Sequence, residues 1–161
     1  MNQNVTDRSP LLVMGVGNML RGDDGFGVEV LAEVGARALP AEVELLDAGT
    51  SISDLMQELH GRRKVVVIDA VRGGEAPGTL YRFSPEDVAA EEVPADSLHQ
   101  VGLLETLRLA ELVDCRPEQV VIIGAQPGDT GLKVGLTPEV SAVVTKAADM
   151  VLAEIDGHAA D

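Results

Sequence analysis

The chain has 161 residues, of which 45% are apolar and 2% aromatic, and its formal net charge is −15. A chain of this length can bury a hydrophobic core without disulfides or metals, so we expect a single domain over residues 1–161, with frayed tails at 1–9 and 157–161. So acidic a surface repels phosphate groups, which argues against nucleic-acid and membrane partners.

Cysteine usage and the N-terminal segment indicate where the protein resides. Cys115 is the only cysteine, so an internal disulfide or a cysteine-based zinc cluster cannot form within one chain. Residues 1–10 are polar and lack the apolar run of a signal peptide, and no stretch reaches the roughly 20 apolar residues of a membrane span. We therefore expect a cytoplasmic protein.

The first half of the chain alternates predicted strands with predicted helices. A continuous apolar run predicts a strand at residues 11–16 that is buried on both faces. Apolar residues near helical spacing predict a helix at 26–39, which Pro40 would stop. The elements predicted next are a strand at 42–46, a helix at 51–60 and a strand at 64–70.

The second half begins with turn signals that leave no room for a crossover helix. A strand is predicted at residues 79–83, and because it follows so closely it should run antiparallel. The elements predicted after it are a short helical turn opened by Ser84 and Pro85, an acidic loop at 89–97, a helix at about 100–113, a strand at 119–125 and a last helix from Pro138 to about residue 155.

This order of elements predicts an α/β fold. We expect a three-layer α/β/α sandwich around a five-stranded mixed sheet that is mostly parallel, with the fourth strand antiparallel. If the second and third strands flank the first, a crevice opens above the carboxyl ends of the first and third strands. Asp24 and Asp69 would lie just past those ends.

Two familiar kinds of site fit the sequence poorly. Residues 15–20, with the sequence GVGNML, begin like a dinucleotide fingerprint, but Leu20 replaces its third glycine and two carboxylates follow where pyrophosphate would bind. No nucleophile elbow is present, and Cys115 has no obvious partner histidine. A nucleotide site and a serine or cysteine hydrolase are therefore disfavoured.

Asp24, Asp69 and His99 remain as candidate site residues. Two carboxylates and an imidazole can surround nickel, zinc, iron or manganese and leave coordination positions open. Each residue also has a structural interpretation, because Asp23 or Asp24 could cap the first helix, Asp69 could accept backbone hydrogen bonds at a strand end, and His99, in the loop before a helix, could cap that helix. Their convergence on one crevice favours the site.

Several ordered motifs resemble those of the [NiFe]-hydrogenase maturation endopeptidases. The opening motif is GVGNMLRGDDGFG at residues 15–27. The motifs that follow are DAGT at 47–50, VIDAV at 67–71 with PGT at 77–79, SLHQVGL at 97–103, GAQP at 124–127 and GLTP at 135–138. The resemblance covers roughly residues 11–155.

The resemblance implies that Asp24, Asp69 and His99 contact a metal and carry the catalytic function. It further implies a nickel-dependent endopeptidase that removes the C-terminal peptide of a [NiFe]-hydrogenase large-subunit precursor after nickel insertion. The nickel would be carried by the substrate rather than held permanently, and the protease is expected to be a monomer. The alternatives are a non-catalytic nickel or nucleotide binding module and a metal-dependent hydrolase of small substrates.

Overall fold

The computed structural model describes residues 8–50, 55–89 and 98–159, without the side chains of residues 56, 88, 89, 98–104, 158 and 159. A single 3-10 turn, Gly22–Gly25, precedes the first helix. The strands are β1 (Leu11–Val16), β2 (Val43–Gly49), β3 (Lys64–Ala70), β4 (Leu80–Phe83) and β5 (Gln119–Ala125). The helices are α1 (Phe26–Gly35), α2 (Leu55–Leu59), α3 (Pro85–Ala89), α4 (Leu98–Leu112), α5 (Pro138–Ser141) and α6 (Val144–Ala159).

The five strands form one mixed sheet with the order β2-β1-β3-β5-β4. Strands β2, β1, β3 and β5 run parallel, and β4 pairs antiparallel with β5. The predicted sheet and its antiparallel fourth strand are thus confirmed. Because β1 lies between β2 and β3, their carboxyl ends meet at one edge of the sheet.

The sheet separates two hydrophobic cores, because successive side chains of a strand point to opposite faces. On one face, Leu11 and Val13 of β1 pack with apolar residues of α1 and α6. On the other face, Leu12 and Met14 pack with Leu55 and Leu59 of α2 and with Leu107 of α4. The central strands are therefore buried on both sides, which explains their continuous apolar sequence.

Helix α1 packs unusually close to the sheet at its N-terminus. A Cβ atom placed on Gly27 would lie 2.2 Å from the backbone oxygen of Ile68 and 2.5 Å from that of Val16. Only glycine fits between the ends of β1 and β3 at this position. The close approach holds the loop between β1 and α1 against the carboxyl ends of both strands.

Several boundaries differ from the sequence-based predictions. Helix α1 ends at Gly35, well before Pro40, because glycine is a poor helix former and the N–H of Ala36 already bonds to carbonyls of the last turn. Strand β2 continues to Gly49, since its pairing with β1 resumes beyond a bulge. The predicted helix at 51–60 is described only as Leu55–Leu59, because residues 51–54 lie outside the described residues.

The two C-terminal helices also begin or end elsewhere than predicted. Helix α4 begins at Leu98, so His99 lies in its first turn and not in the preceding loop; no proline or glycine stands between residues 98 and 101 to delay the helix. The last predicted helix is split by a turn into α5 and α6. Helix α6 continues through Gly157 to Ala159, while residues 1–7, 90–97, 160 and 161 lie outside the described residues.

A buried ion-pair cluster fastens α6 to the sheet at the edge opposite the crevice. The Nζ atom of Lys64 donates to the backbone oxygen of Glu154 and to its Oε2, both at 2.9 Å, and Arg82 of β4 pairs with the same carboxylate. Burial raises the pKa of Glu154, but the hydrogen bonds from Arg82 and Lys64 outweigh burial and leave that pKa below its ordinary value. The cluster therefore stabilises the fold only while Glu154 is ionised.

We predict that Glu154→Gln lowers the free energy of unfolding near neutral pH by about 1–2 kcal/mol, because Lys64 stays buried without its charged partner. Since the folded pKa of Glu154 is lowered, this loss should shrink as the pH falls from the ordinary value of 4.5 through the folded pKa. Urea denaturation near pH 7 and near pH 3 measures both effects.

The matched control is Glu118→Gln, since Glu118 pairs with Arg63 at 3.9 Å and both side chains are mostly exposed. An exposed pair contributes less than about 1 kcal/mol, so this variant should unfold almost like the wild type. An equal loss of stability in the two variants would contradict the assignment.

Candidate active site

Asp24 lies in the 3-10 turn that follows β1, and backbone contacts orient its carboxylate. The N–H of Asn18 donates to Oδ2 of Asp24 at 3.0 Å. Gly17 has a φ of 132°, and a Cβ atom on it would lie 1.9 Å from the backbone oxygen of Asp24, so the turn requires glycine there. The half-buried carboxylate of Asp24 is therefore positioned by the strand end itself.

Asp69 is the penultimate residue of β3, and its side chain is almost inaccessible, with 4% exposure. The N–H of Ala70 donates to its Oδ1 at 2.8 Å, as the structural interpretation of this residue anticipated. Burial, and then the negative charge of Asp24, raise the pKa of Asp69 well above its ordinary value despite this hydrogen bond. Asp24 and Asp69 thus act on each other at the carboxyl ends of β1 and β3.

His99 is placed only through its backbone, in the first turn of α4, and its side chain lies outside the described part of the structure. Among the described side chains, no group of three His, Cys, Asp or Glu residues is arranged to hold a metal ion. Asp24 and Asp69 form the described part of the candidate site, and the contact of His99 with a metal stays a prediction.

Asp23, next to Asp24, has a structural function that the sequence reasoning missed. Its carboxylate is completely buried and accepts hydrogen bonds from the N–H groups of Gly128 (2.7 Å), Asp129 (3.0 Å) and Thr137 (2.7 Å) and from the Thr137 hydroxyl (2.9 Å). Burial raises the pKa of Asp23, but these bonds outweigh burial and lower it. Asp23 thereby joins the loop after β1 to the loop between β5 and α5.

Neither aspartate caps helix α1, so that alternative interpretation is wrong. Gly25 is the N-cap residue, and no side chain bonds to the helix start. No local signal in the sequence distinguishes the role of Asp23 from that of Asp24. The partners of Asp23 lie more than 100 residues away.

Gln126, at the end of β5, is a second buried polar residue that sequence reasoning did not single out. Its Oε1 accepts hydrogen bonds from the N–H of Gly73 at 2.8 Å and from the hydroxyl of Tyr81 at 3.0 Å. These bonds hold the loop between β3 and β4 next to the strand end that carries Asp69.

Chemically, Asp24 and Asp69 are two carboxylates whose mutual repulsion a cation can reduce. Within the part of the chain that the structure describes, no basic side chain pairs with Asp69, and the charge of Asp24 disfavours its ionisation. A divalent ion would relieve this repulsion, and a carboxylate with a raised pKa can also exchange a proton closer to neutral pH. The fold and this site define an α/β/α protein with a pair of carboxylates at the carboxyl ends of its central strands.

Known proteins are similar to this chain in both fold and sequence. A sequence-family model of HycI, the hydrogenase maturation protease, matches residues 28–154, a span that includes Asp69 and His99 and begins after Asp24. The hydrogenase 2 maturation protease of Escherichia coli is 33% identical over 147 residues, which cover 90% of each chain.

Solved structures agree with this match. The hydrogenase maturating endopeptidase HybD from E. coli superposes with a TM-score of 0.86 at 33% identity, covering 92% of this chain and 93% of that one. The [NiFe] hydrogenase maturation protease HybD from Thermococcus kodakarensis superposes with a TM-score of 0.73 at 28% identity, covering 90% and 98%. The chain belongs to the hydrogenase maturation protease family and is a peptide hydrolase, which excludes a purely binding module.

We predict that Asp23→Asn lowers the free energy of unfolding by about 2–4 kcal/mol, because the new amide group faces N–H donors where an oxygen accepted their bonds. Urea denaturation measures the loss. The control is Asp129→Asn, which makes the same change on an exposed side chain that, among the described residues, accepts only from the N–H of Gly131 and should cost less than about 1 kcal/mol. Similar losses in both variants would refute the joining role of Asp23.

Asp69→Asn should have the opposite effect on stability. Because the folded pKa of Asp69 is raised, its charge opposes folding at neutral pH, so the variant should gain about 1–2 kcal/mol of unfolding free energy there. The gain should shrink as the pH falls through the raised folded pKa and vanish below the ordinary value of 3.8, where the carboxyl group is neutral in both states. Denaturation in the presence of a chelator tests this, and a variant less stable than the wild type at neutral pH would show that Asp69 is a structural residue.

Proposed function

We propose that this protein is a nickel-dependent endopeptidase that removes the C-terminal peptide of a [NiFe]-hydrogenase large-subunit precursor after nickel has been inserted. The observation that carries the proposal is the carboxylate of Asp69, buried beside the charge of Asp24 at the carboxyl edge of the sheet. The names of relatives support the reaction, since they include a hydrogenase 2 maturation protease and a [NiFe] hydrogenase maturation protease.

The donor set fits nickel that arrives with the substrate. Asp24 and Asp69 supply oxygen ligands and His99 would supply a nitrogen, a set that suits nickel and other divalent metals. Without a thiolate these three residues would hold nickel weakly on their own, but they can complete the coordination of an ion already bound by the precursor. Cleavage would then depend on nickel loading.

The residues of the chain contribute in different ways to peptide hydrolysis. Nickel, when bound, would supply positive charge next to the scissile bond. Asp24 or Asp69 would take a proton from an attacking water, and the N–H of Asn18 orients the carboxylate of Asp24. Asp69 lies in β3 and Asp24 in the 3-10 turn after β1, which close backbone contacts hold against the strand ends, so the fold sets the positions of both carboxylates.

Where the protein acts follows from the same reasoning. We place it in the cytoplasm as a monomer that meets the folded, nickel-loaded precursor, consistent with its single cysteine. None of the helices in the described ranges combines the length and apolar character that a bilayer-spanning segment needs.

We predict that the protein shortens a nickel-loaded large-subunit precursor and leaves the nickel-free precursor intact, because only the former supplies the ion that Asp24, Asp69 and His99 contact. Mass spectrometry of the products measures the loss of a C-terminal fragment. Elemental analysis of the dialysed protein alone should show little metal, since its own ligands are incomplete. Cleavage of both precursors would show that nickel is not required.

His99→Ala provides the residue-level arm of this experiment. Processing of the nickel-loaded precursor should fall by about 100-fold or more if the imidazole contacts the metal. The control is His60→Ala, which removes an exposed imidazole at the end of α2. Thermal melting of both variants excludes a folding defect, and wild-type processing by His99→Ala would remove His99 from the site.

A further inference from the structure

The loop after β1 and the loop before α5 meet in a short parallel ribbon beside the crevice. Arg21 and Lys133 form an isolated parallel β-bridge. The N–H of Gly22 donates to the oxygen of Lys133 at 2.7 Å, and the N–H of Lys133 donates to the oxygen of Leu20 at 3.0 Å. We call residues 20–22 and 132–134 the rim ribbon.

Three apolar side chains of the rim ribbon are open to solvent. Leu20 and Leu132 precede the bridged residues Arg21 and Lys133, and Val134 follows Lys133. These side chains are 62%, 86% and 74% exposed for Leu20, Leu132 and Val134, respectively. Neighbouring exposed apolar side chains on a fixed ribbon indicate an interaction surface.

Three exposed basic residues, Arg21, Arg72 and Lys133, lie on or next to the rim ribbon. Arg21 Nε donates to the backbone oxygen of Thr130 at 3.3 Å, and Arg72 Nη2 donates to the Thr130 hydroxyl at 2.9 Å, so both guanidinium groups converge on one residue. With Lys133 they form a basic cluster, and none of the three makes an ion pair with any residue that the structure describes.

Basic side chains elsewhere in the protein are used differently. Arg62, Lys64 and Arg82 are among those that pair with carboxylates of the chain itself. In a chain with a net charge of −15, basic groups that are left without an acidic partner at one rim create a local positive site. Such a site attracts carboxylates on a partner and fixes its orientation.

The rim ribbon is rigidly connected to the candidate active site. Arg21 stands three residues before Asp24, and Arg72 stands three residues after Asp69. The buried carboxylate of Asp23 bonds to the backbone of Gly128 and holds the second loop in place. A protein segment that lies on the rim would therefore be adjacent to the crevice in a fixed register.

We propose that the rim ribbon, together with Arg72, is the surface on which the protein substrate docks. The segment that it binds carries apolar side chains, which cover Leu20, Leu132 and Val134, next to carboxylate groups, which meet the basic cluster. The inference rests on the proposed function for the identity of the substrate. It adds that recognition requires this surface in addition to the metal.

Leu132→Ser tests the exposed apolar residues of the rim ribbon. The KM and the Kd of this variant for the nickel-loaded large-subunit precursor should rise about tenfold or more. Its kcat should stay unchanged, because the surface binds the substrate and does not touch the reacting bond. The matched control is Leu112→Ser, which changes a leucine that is 82% exposed at the end of α4. Thermal melting should be unchanged in both variants.

Lys133→Glu tests the basic cluster. It should lower the association rate constant about tenfold at low ionic strength, and the difference should shrink in about 0.5 M salt, because steering by exposed charges is screened. The control is Lys146→Glu, the same charge reversal on an exposed position of α6. A rate that falls equally in both variants would indicate an effect of net charge and overturn a local role.

Comparing the wild type with the two rim variants distinguishes the docking surface from the proposed function. If the wild type binds the nickel-loaded precursor without cutting it, the proposed function fails, and the surface is still judged from the affinities of the variants. If the wild type cuts the precursor and both rim variants bind and cut like it, the docking surface is wrong and the proposed function stands. If the wild type neither binds nor cuts, both are overturned.

Discussion

The buried carboxylate of Asp23 is the interaction on which the functional edge of the protein depends. It accepts hydrogen bonds from backbone groups of Gly128, Asp129 and Thr137, three residues that follow β5. A carboxylate without solvent contact persists only when its oxygens are satisfied, and here the bonds are numerous enough to keep its pKa below the ordinary value. This one side chain therefore fixes the two loops that border the crevice relative to each other.

Two buried aspartates, Asp23 and Asp69, thus have opposite effects on the stability of the fold. Asp23 contributes to stability as an ionised group, whereas Asp69, equally hidden from solvent, carries a charge that the fold disfavours. The difference arises from hydrogen bonding and from a nearby charge. Several donors stabilise the ionised form of Asp23, whereas the bond from the N–H of Ala70 to Asp69 does not offset burial and the negative charge of Asp24. A fold that retains such a residue at a strand end maintains strain where a cation or a proton can relieve it, as functional sites commonly do.

The position of the site also explains why an acidic protein can recognise a protein substrate locally. Its overall charge would attract basic surfaces, but the rim ribbon places apolar and basic groups next to the acidic crevice. A substrate segment would meet three kinds of surface in succession, and each discriminates by a different physical property. If the substrate docks as proposed, this combination gives selectivity that no single contact would provide.

The sequence alone determined the layered architecture, because short apolar runs such as residues 11–16 and 65–68 that alternate with helical patterns are typical of strands buried on both faces of a parallel sheet. It also placed Asp24 and Asp69 near strand ends, since ordered motifs and periodicity are local properties of the chain. Only the tertiary structure decided the role of Asp23 and the existence of the rim ribbon, because both depend on residues more than 100 positions apart. Helix ends such as Gly35 and Leu98 were also decided there, since packing and capping choose among stopping points that local propensity leaves nearly equal in free energy.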